Sequence, residues 1–585
     1  MSWEAWFTLA VIITVLVLLA RERVPPSVAM SGGMVAVLLA GIVTPEQALS
    51  GFSNAAPLTV AALFVLARAV EKTGVMAPVV SAALGRTRGR RAQVARLMAP
   101  VAASSAFLNN TPIVAMLLPQ VSEWSARNRQ SASRLLMPLS FAAILGGVVT
   151  VIGTSTNLVV SGLIQEAGYD PIGFFEIGKV GLPLCLVGLA VAVLWAPIGL
   201  KERRPAVEEP SESPRQFAFE MRVEPGPLEG KTVEEAGLRN LAGVFLASIE
   251  RGGELHAPVA PDDRLRAGDY LRFAGRAGDV VDLQGIRGLA PASSHLHPID
   301  ASRYFEAVVG ATSPLVGSTL KDSGFRARYQ AAVIAIHRAG EEVDAKLGEV
   351  PLRVGDTLLI LADTGFQARW RDQTDFLVIA PFRAAPPQLG RRAWLVGVIG
   401  LGLIFVASIG LLPILQASLL AAVALVAFGI LRPGEARASL DLDVIVTIAA
   451  AFGVAAAAQE SGLAEKIAEV LVGALGGFGG IGILAGVIVA AMVLTAVVSN
   501  NAAALLMVPI GGAAAVSAGL DPRGFFIAIA VAASIDFMTP IGYQTNTMVW
   551  GPGGYRFSDY PRFGFPLTIA SLITMLVVVP VAWPL

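Results

Sequence analysis

The sequence predicts an α-helical polytopic membrane protein made of two inverted repeats, each of five spans plus a re-entrant hairpin, around a cytoplasmic insert of two small α/β domains. Three observations carry that expectation: an apolar composition confined to two blocks, landmarks repeated about 390 residues apart, and arginines gathered on one face. Of 585 residues, 54% are hydrophobic and 15% charged, against roughly 25% charged in a soluble globular protein. A soluble enzyme of this size is excluded, and no enzymatic activity is expected. Lysine plus arginine equals aspartate plus glutamate, 44 each, so net charge points to no nucleic-acid partner. One cysteine, Cys185, and four histidines exclude a disulfide framework and leave no basis for a transition metal. Met1–Ala20 is apolar but carries Glu4 and lacks a basic leader, so it reads as a retained helix rather than a signal peptide.

Charge density divides the chain into a first membrane repeat at 1–200, a soluble-looking middle, and a second repeat at 391–585. Apolar runs able to cross about 30 Å of hydrocarbon fall at about 3–20, 27–43, 57–84, 135–165 and 180–200. The second set lies at about 393–409, 411–431, 443–473, 524–550 and 563–583. Between the third and fourth members of each set stands an apolar stretch broken by polar residues, about 97–121 and 483–516. Such a break survives in a bilayer only where the backbone is buried in protein or faces water.

The two sets match at four landmarks. Thr73-Gly74 aligns with Ser461-Gly462, 388 residues on. Asn109-Asn110-Thr111 aligns with Ser499-Asn500-Asn501 and Pro119 with Pro509, both 390 apart. Gly153-Thr154-Ser155-Thr156-Asn157 aligns with Gly542-Tyr543-Gln544-Thr545-Asn546, 389 apart. Five crossings per copy is odd, so the second copy enters upside down. Treating the broken stretches as hairpins puts Arg21/Arg23, Arg86–Arg91, Arg127–Arg134, Arg203/Arg204, Arg391/Arg392, Arg432/Arg437 and Arg556/Arg562 on one face. By the positive-inside rule that face is cytoplasmic. Residues 201–392 are then cytoplasmic, both termini extracytoplasmic, and the protein sits in the cell's inner (plasma) membrane.

The middle opens with a Pro-, Glu- and Ser-rich linker, 201–214, and is itself duplicated into domains at 215–297 and 298–385. Ile249-Glu-Arg251 matches Ile336-His-Arg338, and Gly268-Asp269 matches Gly355-Asp356, each 87 apart. Short alternating runs around the Gly-Asp turns predict strands.

A polar Asn-Asn-Thr tip in a bilayer either glues helices together or faces a cavity. Recurrence in both copies, each with a glycine-interrupted partner 46 or 47 residues on, favours discontinuous helices meeting near the midplane. Their half-helix N-termini suit an anion, and freed carbonyls with Asn, Ser and Thr oxygens suit a hard cation. Asp536, inside an apolar run at the position of Gly147 in the first copy, reads either as a coupling carboxylate or as a helix-end carboxylate paired on the cytoplasmic side. Asp441 and Asp443 read as solvated carboxylates at a helix start. Gly477-x-Gly479-x-x-Gly482 lacks the strand and ribose-binding acid of a dinucleotide site and reads as a loop. His295 and His297 have no companion ligands.

Ser105–Pro119, Ser499-Asn500-Asn501, Gly153–Asn157 and Thr539–Asn546 resemble the hairpin tips and paired breaks of the divalent anion/sodium symporter family, which belongs to a wider ion-transporter superfamily. The insert domains resemble RCK C-terminal (TrkA-C) ligand-binding domains. The resemblance implies an elevator-type homodimer that couples sodium, or protons in its place, to uptake of a divalent anion. It places one sodium among Asn109, Asn110, Gly153 and Asn157, and a second among Ser499, Asn500, Gly542 and Asn546. It places the anion against Asn110, Thr111, Ser155, Thr156, Asn500, Asn501, Gln544 and Thr545. Asn109, Asn501 and the Ser155-Thr156 and Gln544-Thr545 pairs depart from the family pattern, and the branch with such inserts is associated with sulfate. Sulfate is therefore expected, with di- or tricarboxylate symport and arsenite-type efflux as alternatives. A gated cation channel would need a carbonyl filter sequence, and none is present. The expected partners are the anion, the lipid bilayer, a second copy, and a nucleotide or ion at the RCK-like domains.

Overall fold

Helices account for the apolar blocks because a chain in hydrocarbon must satisfy its own backbone. The computed structural model describes residues 1–20, 24–75, 89–128, 130–203 and 392–584 of those blocks. Of the middle it describes 219–238, 244–252, 254–256, 259–260, 262–275, 286–291, 304–310, 313–338, 341–343, 345, 347–363, 365–370 and 375–381. Arg21, Arg23, Arg86, Arg88, Arg129, Arg204, Arg391, His295, His297 and most of the expected linker lie outside the described residues.

The first block runs Trp3–Ala20, Pro26–Leu39, Pro45–Ser53, Ala55–Thr73, Arg90–Ser105, Asn110–Arg127, Leu136–Gly147, Ser155–Glu166 and Gly178–Gly199. The second runs Ala393–Ser408, Ile414–Ala427, Pro433–Ala438, Leu442–Glu460, Leu463–Leu475, Gly479–Thr495, Asn500–Ser517, Pro522–Ser534, Gln544–Trp550 and Asp559–Ala582. Among the described residues, six helical stretches are long and apolar enough to cross a membrane, and shorter apolar helices accompany them. The protein is a polytopic helical membrane protein.

Several boundaries differ from the sequence expectation. The helix before the first polar tip starts at Arg90 rather than 97, after Gly89 at φ +105°, and the Arg90 guanidinium is held by the carbonyls of Pro197 (3.2 Å) and Leu200 (2.9 Å). The helix before the second tip starts at Gly479 rather than 483, so the glycine-rich stretch expected as a loop is helical from there. The run at 443–473 is two helices separated at Ser461-Gly462, where Gly462 adopts φ +70°, open to glycine without penalty. Gly74, φ +62°, ends Ala55–Thr73 in the same way. Asp441 caps its helix by accepting from Val444 N (3.1 Å), but Asp443 accepts from Ser27 and is not simply solvated.

Arginines close helix C-termini. Arg562 donates to Ile198 O (3.1 Å), and Arg392 donates to Phe428 O (3.1 Å) and Gly429 O (2.9 Å). Cations there answer both the orphan carbonyls and the helix dipole. The core lies around the helices that lead into the two breaks. All twelve residues of Leu136–Gly147 are buried, as is Gly524–Ser534. Phe141 stacks on Phe563 (5.5 Å) and packs on Phe537 (4.9 Å), tying the first of these helices to the second break.

Arg203–Ala385, with Gly551–Tyr555, forms a separate unit. Its first antiparallel sheet contains β1 (Phe219–Val223), β2 (Val244–Arg251), β3 (Glu254–His256), β4 (Tyr270–Gly275) and β5 (Leu289–Pro291), in the order β3-β2-β4-β1-β5. The second contains β6 (Tyr304–Val309), β7 (Ala331–Arg338), β8 (Glu341–Glu342), β9 (Thr357–Ala362) and β10 (Phe376–Pro381), in the order β10-β6-β9-β7-β8. Read from its other edge, the second order is the first one again. Two short helices, Phe325–Tyr329 and Phe366–Trp370, pack on the second sheet.

The duplicated dipeptides form one ion pair per sheet. Arg251 grips Asp269 through Nε–Oδ1 (2.8 Å) and Nη2–Oδ2 (2.7 Å), and Arg338 grips Asp356 at the same two distances. Each arginine also donates to a carbonyl, Arg264 O or Pro351 O, and each aspartate closes its own turn by accepting from Arg266 N or Arg353 N. Both carboxylates are 1% exposed. A buried partner left unpaired costs about 3–5 kcal/mol. Arg338→Ala is therefore expected to raise cleavage within the second sheet, in native-state proteolysis of the whole chain, by about a hundredfold or more.

Burial pushes His337 on β7 down from 6.5 to about 4. The folded unit thus holds the ring neutral while the unfolded chain protonates it, so stability present above pH 6.5 is lost as pH falls toward 4. His337→Gln should flatten the fall in protease resistance of this unit between those two pH values.

Candidate functional site

Two helix pairs are each interrupted by a short polar tip. Ala106–Asn109 separates Arg90–Ser105 from Asn110–Arg127, and Ala496–Ser499 separates Gly479–Thr495 from Asn500–Ser517. Asn110 is buried, and its Oδ1 accepts from Ser105 Oγ at 2.5 Å. Asn500 Oδ1 likewise accepts from Thr495 Oγ1 at 3.0 Å. Donor and acceptor are five residues apart in both tips.

The two breaks share a second set of bonds. After Leu136–Gly147, Asn157 Nδ2 donates to Gly147 O (3.2 Å) and Thr150 O (2.9 Å). After Pro522–Ser534, Asn546 Nδ2 donates to Asp536 O (2.9 Å) and Thr539 O (3.0 Å). Each asparagine thus satisfies carbonyls ten and seven residues behind it, which the interrupted helix has freed. Thr150 Oγ1 donates to Ala106 O, and Thr539 Oγ1 lies 3.3 Å from Ala496 O, so each break is tied to the tip of its own half.

The halves then interlock. Asn110 Nδ2 donates to the Tyr543 hydroxyl, and Thr111 Oγ1 donates to Gln544 Oε1 at 3.1 Å. Reciprocally, Ser155 Oγ (3.2 Å) and Thr156 Oγ1 (3.1 Å) both donate to Asn501 Oδ1. Each tip therefore binds the break of the other half. Buttresses hold the arrangement: Ser140 Oγ donates to Asn546 Oδ1 (2.7 Å) and lies 2.8 Å from Thr545 Oγ1, and Tyr560 donates to Asn546 O (2.7 Å). Ser534 Oγ reaches Asn157 Oδ1 at 3.4 Å.

Of the residues singled out from the sequence, Asn110, Thr111, Ser155, Thr156, Asn157, Asn500, Asn501, Gln544, Thr545 and Asn546 fall within this network. Asn109, half-buried, and Ser499, exposed, stand beside it without joining its side-chain bonds. Gly153 and Gly542 line it closely: a Cβ on Gly153 would lie 2.5 Å from Gly147 O, and one on Gly542 would lie 2.6 Å from Thr495 O. Gly147 itself makes room for Asn110, whose Oδ1 would stand 2.6 Å from an added Cβ. Asp536 is buried beside Gly542, two residues past the end of Pro522–Ser534, where its carboxylate accepts from the N–H groups of Met538 and Thr539 and from the Thr539 hydroxyl and pairs with no cation among the described residues.

Ser105, Thr495, Thr150, Thr539 and Tyr543 were given no role from the sequence, although Ser105, Thr539 and Tyr543 stand inside its motifs. The 389–390 residue offset, applied beyond the asparagines, pairs Ser105 with Thr495 and Thr150 with Thr539 and would have found four of them. Tyr543 carries no such signal, because its counterpart is Thr154.

Chemically, the network offers amide and hydroxyl donors, carbonyl and amide oxygens, and the first turns of Asn110–Arg127, Ser155–Glu166 and Asn500–Ser517, whose backbone N–H groups have no helical partner. The N-caps Thr154 and Ser499 make no side-chain capping bond. Such termini receive anions, while oxygens freed at the breaks receive hard cations.

The profile of a family described as "Citrate transporter" matches residues 16–523 and again 403–585. A Chlamydomonas reinhardtii protein named putative sulfur deprivation response regulator is 36% identical, covering 95% of this chain and 98% of its own. An uncharacterized transporter of Synechocystis sp. is 35% identical over 99% of this chain and 97% of its own. Sodium/sulfate cotransporter 1 of Chlamydomonas reinhardtii is 26% identical over 98% and 89%.

The interlock is open to a direct check. In a Cys185→Ala background, Ser155→Cys with Asn501→Cys should cross-link under a short bifunctional thiol reagent, and either cysteine alone should not. Absence of cross-linking in membranes would remove the reciprocal contact.

Proposed function

The chain belongs to the citrate transporter family and is a transporter rather than an enzyme; from that premise we propose that it takes up a divalent anion, sulfate, together with sodium. The observation that carries the reading is the reciprocal pairing of each polar tip with the break of the other half. That pairing gathers helix N-termini and freed oxygens into one centre, as discontinuous helices do in secondary transporters. One sodium lies among Asn109, Asn110, Gly153 and Asn157, and the other among Ser499, Asn500, Gly542 and Asn546. The anion sits between the tips, touched by Asn110, Thr111, Ser155, Thr156, Asn500, Asn501, Gln544 and Thr545.

Sulfate is favoured over citrate by chemistry and by kinship. The centre is made of neutral donors and helix ends, which suit a compact tetrahedral dianion; a tricarboxylate ordinarily calls for arginine forks. Two full-length relatives of Chlamydomonas reinhardtii are named sodium/sulfate cotransporters. The two blocks act as inverted repeats in a homodimer that moves its transport half as an elevator. The duplicated sheet domains, on the cytoplasmic side, bind a small regulatory ligand.

In proteoliposomes, an inward sodium gradient should drive uptake of labelled sulfate. Asn110→Ala or Asn500→Ala should lower it by about tenfold or more, the scale of losing a buried hydrogen-bond pair. Uptake indifferent to sodium and to both substitutions overturns the proposal. Sodium-driven uptake of citrate in place of sulfate overturns the substrate alone, and arsenite export overturns the direction.

A further inference from the structure

Asp536 occupies the position that Gly147 holds 389 residues earlier, so a carboxylate enters only one of two otherwise matching breaks. It is 2% exposed. Oδ1 accepts from the backbone N–H groups of Met538 (2.9 Å) and Thr539 (3.2 Å). Oδ2 meets the hydroxyl of Thr539 at 2.7 Å. That hydroxyl already accepts from Gly542 N (3.0 Å) and also lies 3.3 Å from Ala496 O. A hydroxyl has one proton. It cannot serve both Asp536 and Ala496 O at once.

Oxygens also gather at one spot beside Gly542. A Cβ on Gly542 would collide with Asp536 Oδ2, lie 2.6 Å from Thr495 O, and lie 3.0 Å from Thr539 Oγ1. Three oxygens from two segments, the break itself and the end of Gly479–Thr495, therefore border the bare α-carbon of Gly542. The Thr495 hydroxyl lies within bonding distance of Ala533 O (2.8 Å) and Asn500 Oδ1 (3.0 Å), while its carbonyl oxygen faces the cluster. The Thr539 hydroxyl relieves Asp536 Oδ2 by donating to it, but the carboxylate and the Thr495 carbonyl are both pure acceptors, and a buried carboxylate in an apolar block favours a positive charge beside it. Oxygen donors of this kind are the ligands of small hard cations.

We propose that Asp536 is a ligand of the second-half cation, completing with Thr495 O and Thr539 Oγ1 a charged site for sodium where the first half has a neutral one. The proposal rests on the sodium-coupled reading above. It makes the two cation sites unequal: the second holds its ion against a fixed negative charge, the first by neutral oxygens alone. Asp536 touches the ion and not the anion, so the two substrates separate the effects.

Full-length Asp536→Asn and Asp536→Ser test this in proteoliposomes and in detergent. The sodium concentration for half-maximal sulfate uptake should rise by about tenfold or more in both, the scale of losing a charged ligand, while half-saturation by sulfate at saturating sodium shifts less than about twofold. The rise in melting temperature that sodium produces in the wild type should shrink in the variants, with the sodium-free melting temperature retained. An unchanged sodium requirement and unchanged sodium stabilisation in either folded variant overturns the assignment. A wild-type protein that shows no sodium dependence of uptake or melting overturns the coupled reading instead, so the two failures are distinct.

Discussion

A helix interrupted inside an apolar block leaves carbonyls and N–H groups without partners, and everything at the centre of this protein answers that deficit. Asn157 and Asn546 each spend both amide protons on carbonyls of their own break. Thr150 ties the first break to its tip through Ala106 O. Polar side chains there are first a condition for the fold to exist. The same groups, once assembled, are also the chemistry available to a cargo.

Reciprocity follows from that deficit. A tip cannot satisfy itself, so Asn110 turns to Tyr543 and Asn501 turns to Ser155 and Thr156. Neither half of the centre is complete alone. Each tip is bonded to the opposite break, so the two halves of the centre share one network. The near-symmetry also makes its exceptions informative. Gly147 leaves space for the Asn110 amide, whereas Asp536 fills the matching place with charge. Opposite requirements at equivalent positions mean the two sides of the centre do different work.

The sheet unit repeats the logic of duplication with other means. Arg251–Asp269 and Arg338–Asp356 are the same clasp drawn twice, each joining a strand to the turn before the next strand. Its burial makes the aspartate costly to strip of its partner, and so fixes the turn. The second sheet keeps a buried neutral histidine beside that clasp, an uncommon use of a side chain that titrates near neutrality.

Composition, the 390-residue offset and the 87-residue offset together made the membrane class, the two polar tips, the two breaks and the paired sheet domains readable in the bare chain. Those features are written in one dimension: hydrocarbon demands apolar runs, and a duplicated gene keeps its spacing. Helix ends were read less well. The helix at Arg90 starts seven residues before the apolar run does, and its guanidinium is held by carbonyls more than a hundred residues away, contacts that no local pattern announces. The pairing of Asn110 with Tyr543, and the crowding of oxygens around Gly542, joined segments separated by 433 and by about 40 residues respectively. Contacts of that kind arise only when the chain packs, around the buried helices Leu136–Gly147 and Pro522–Ser534 that lead into the two breaks.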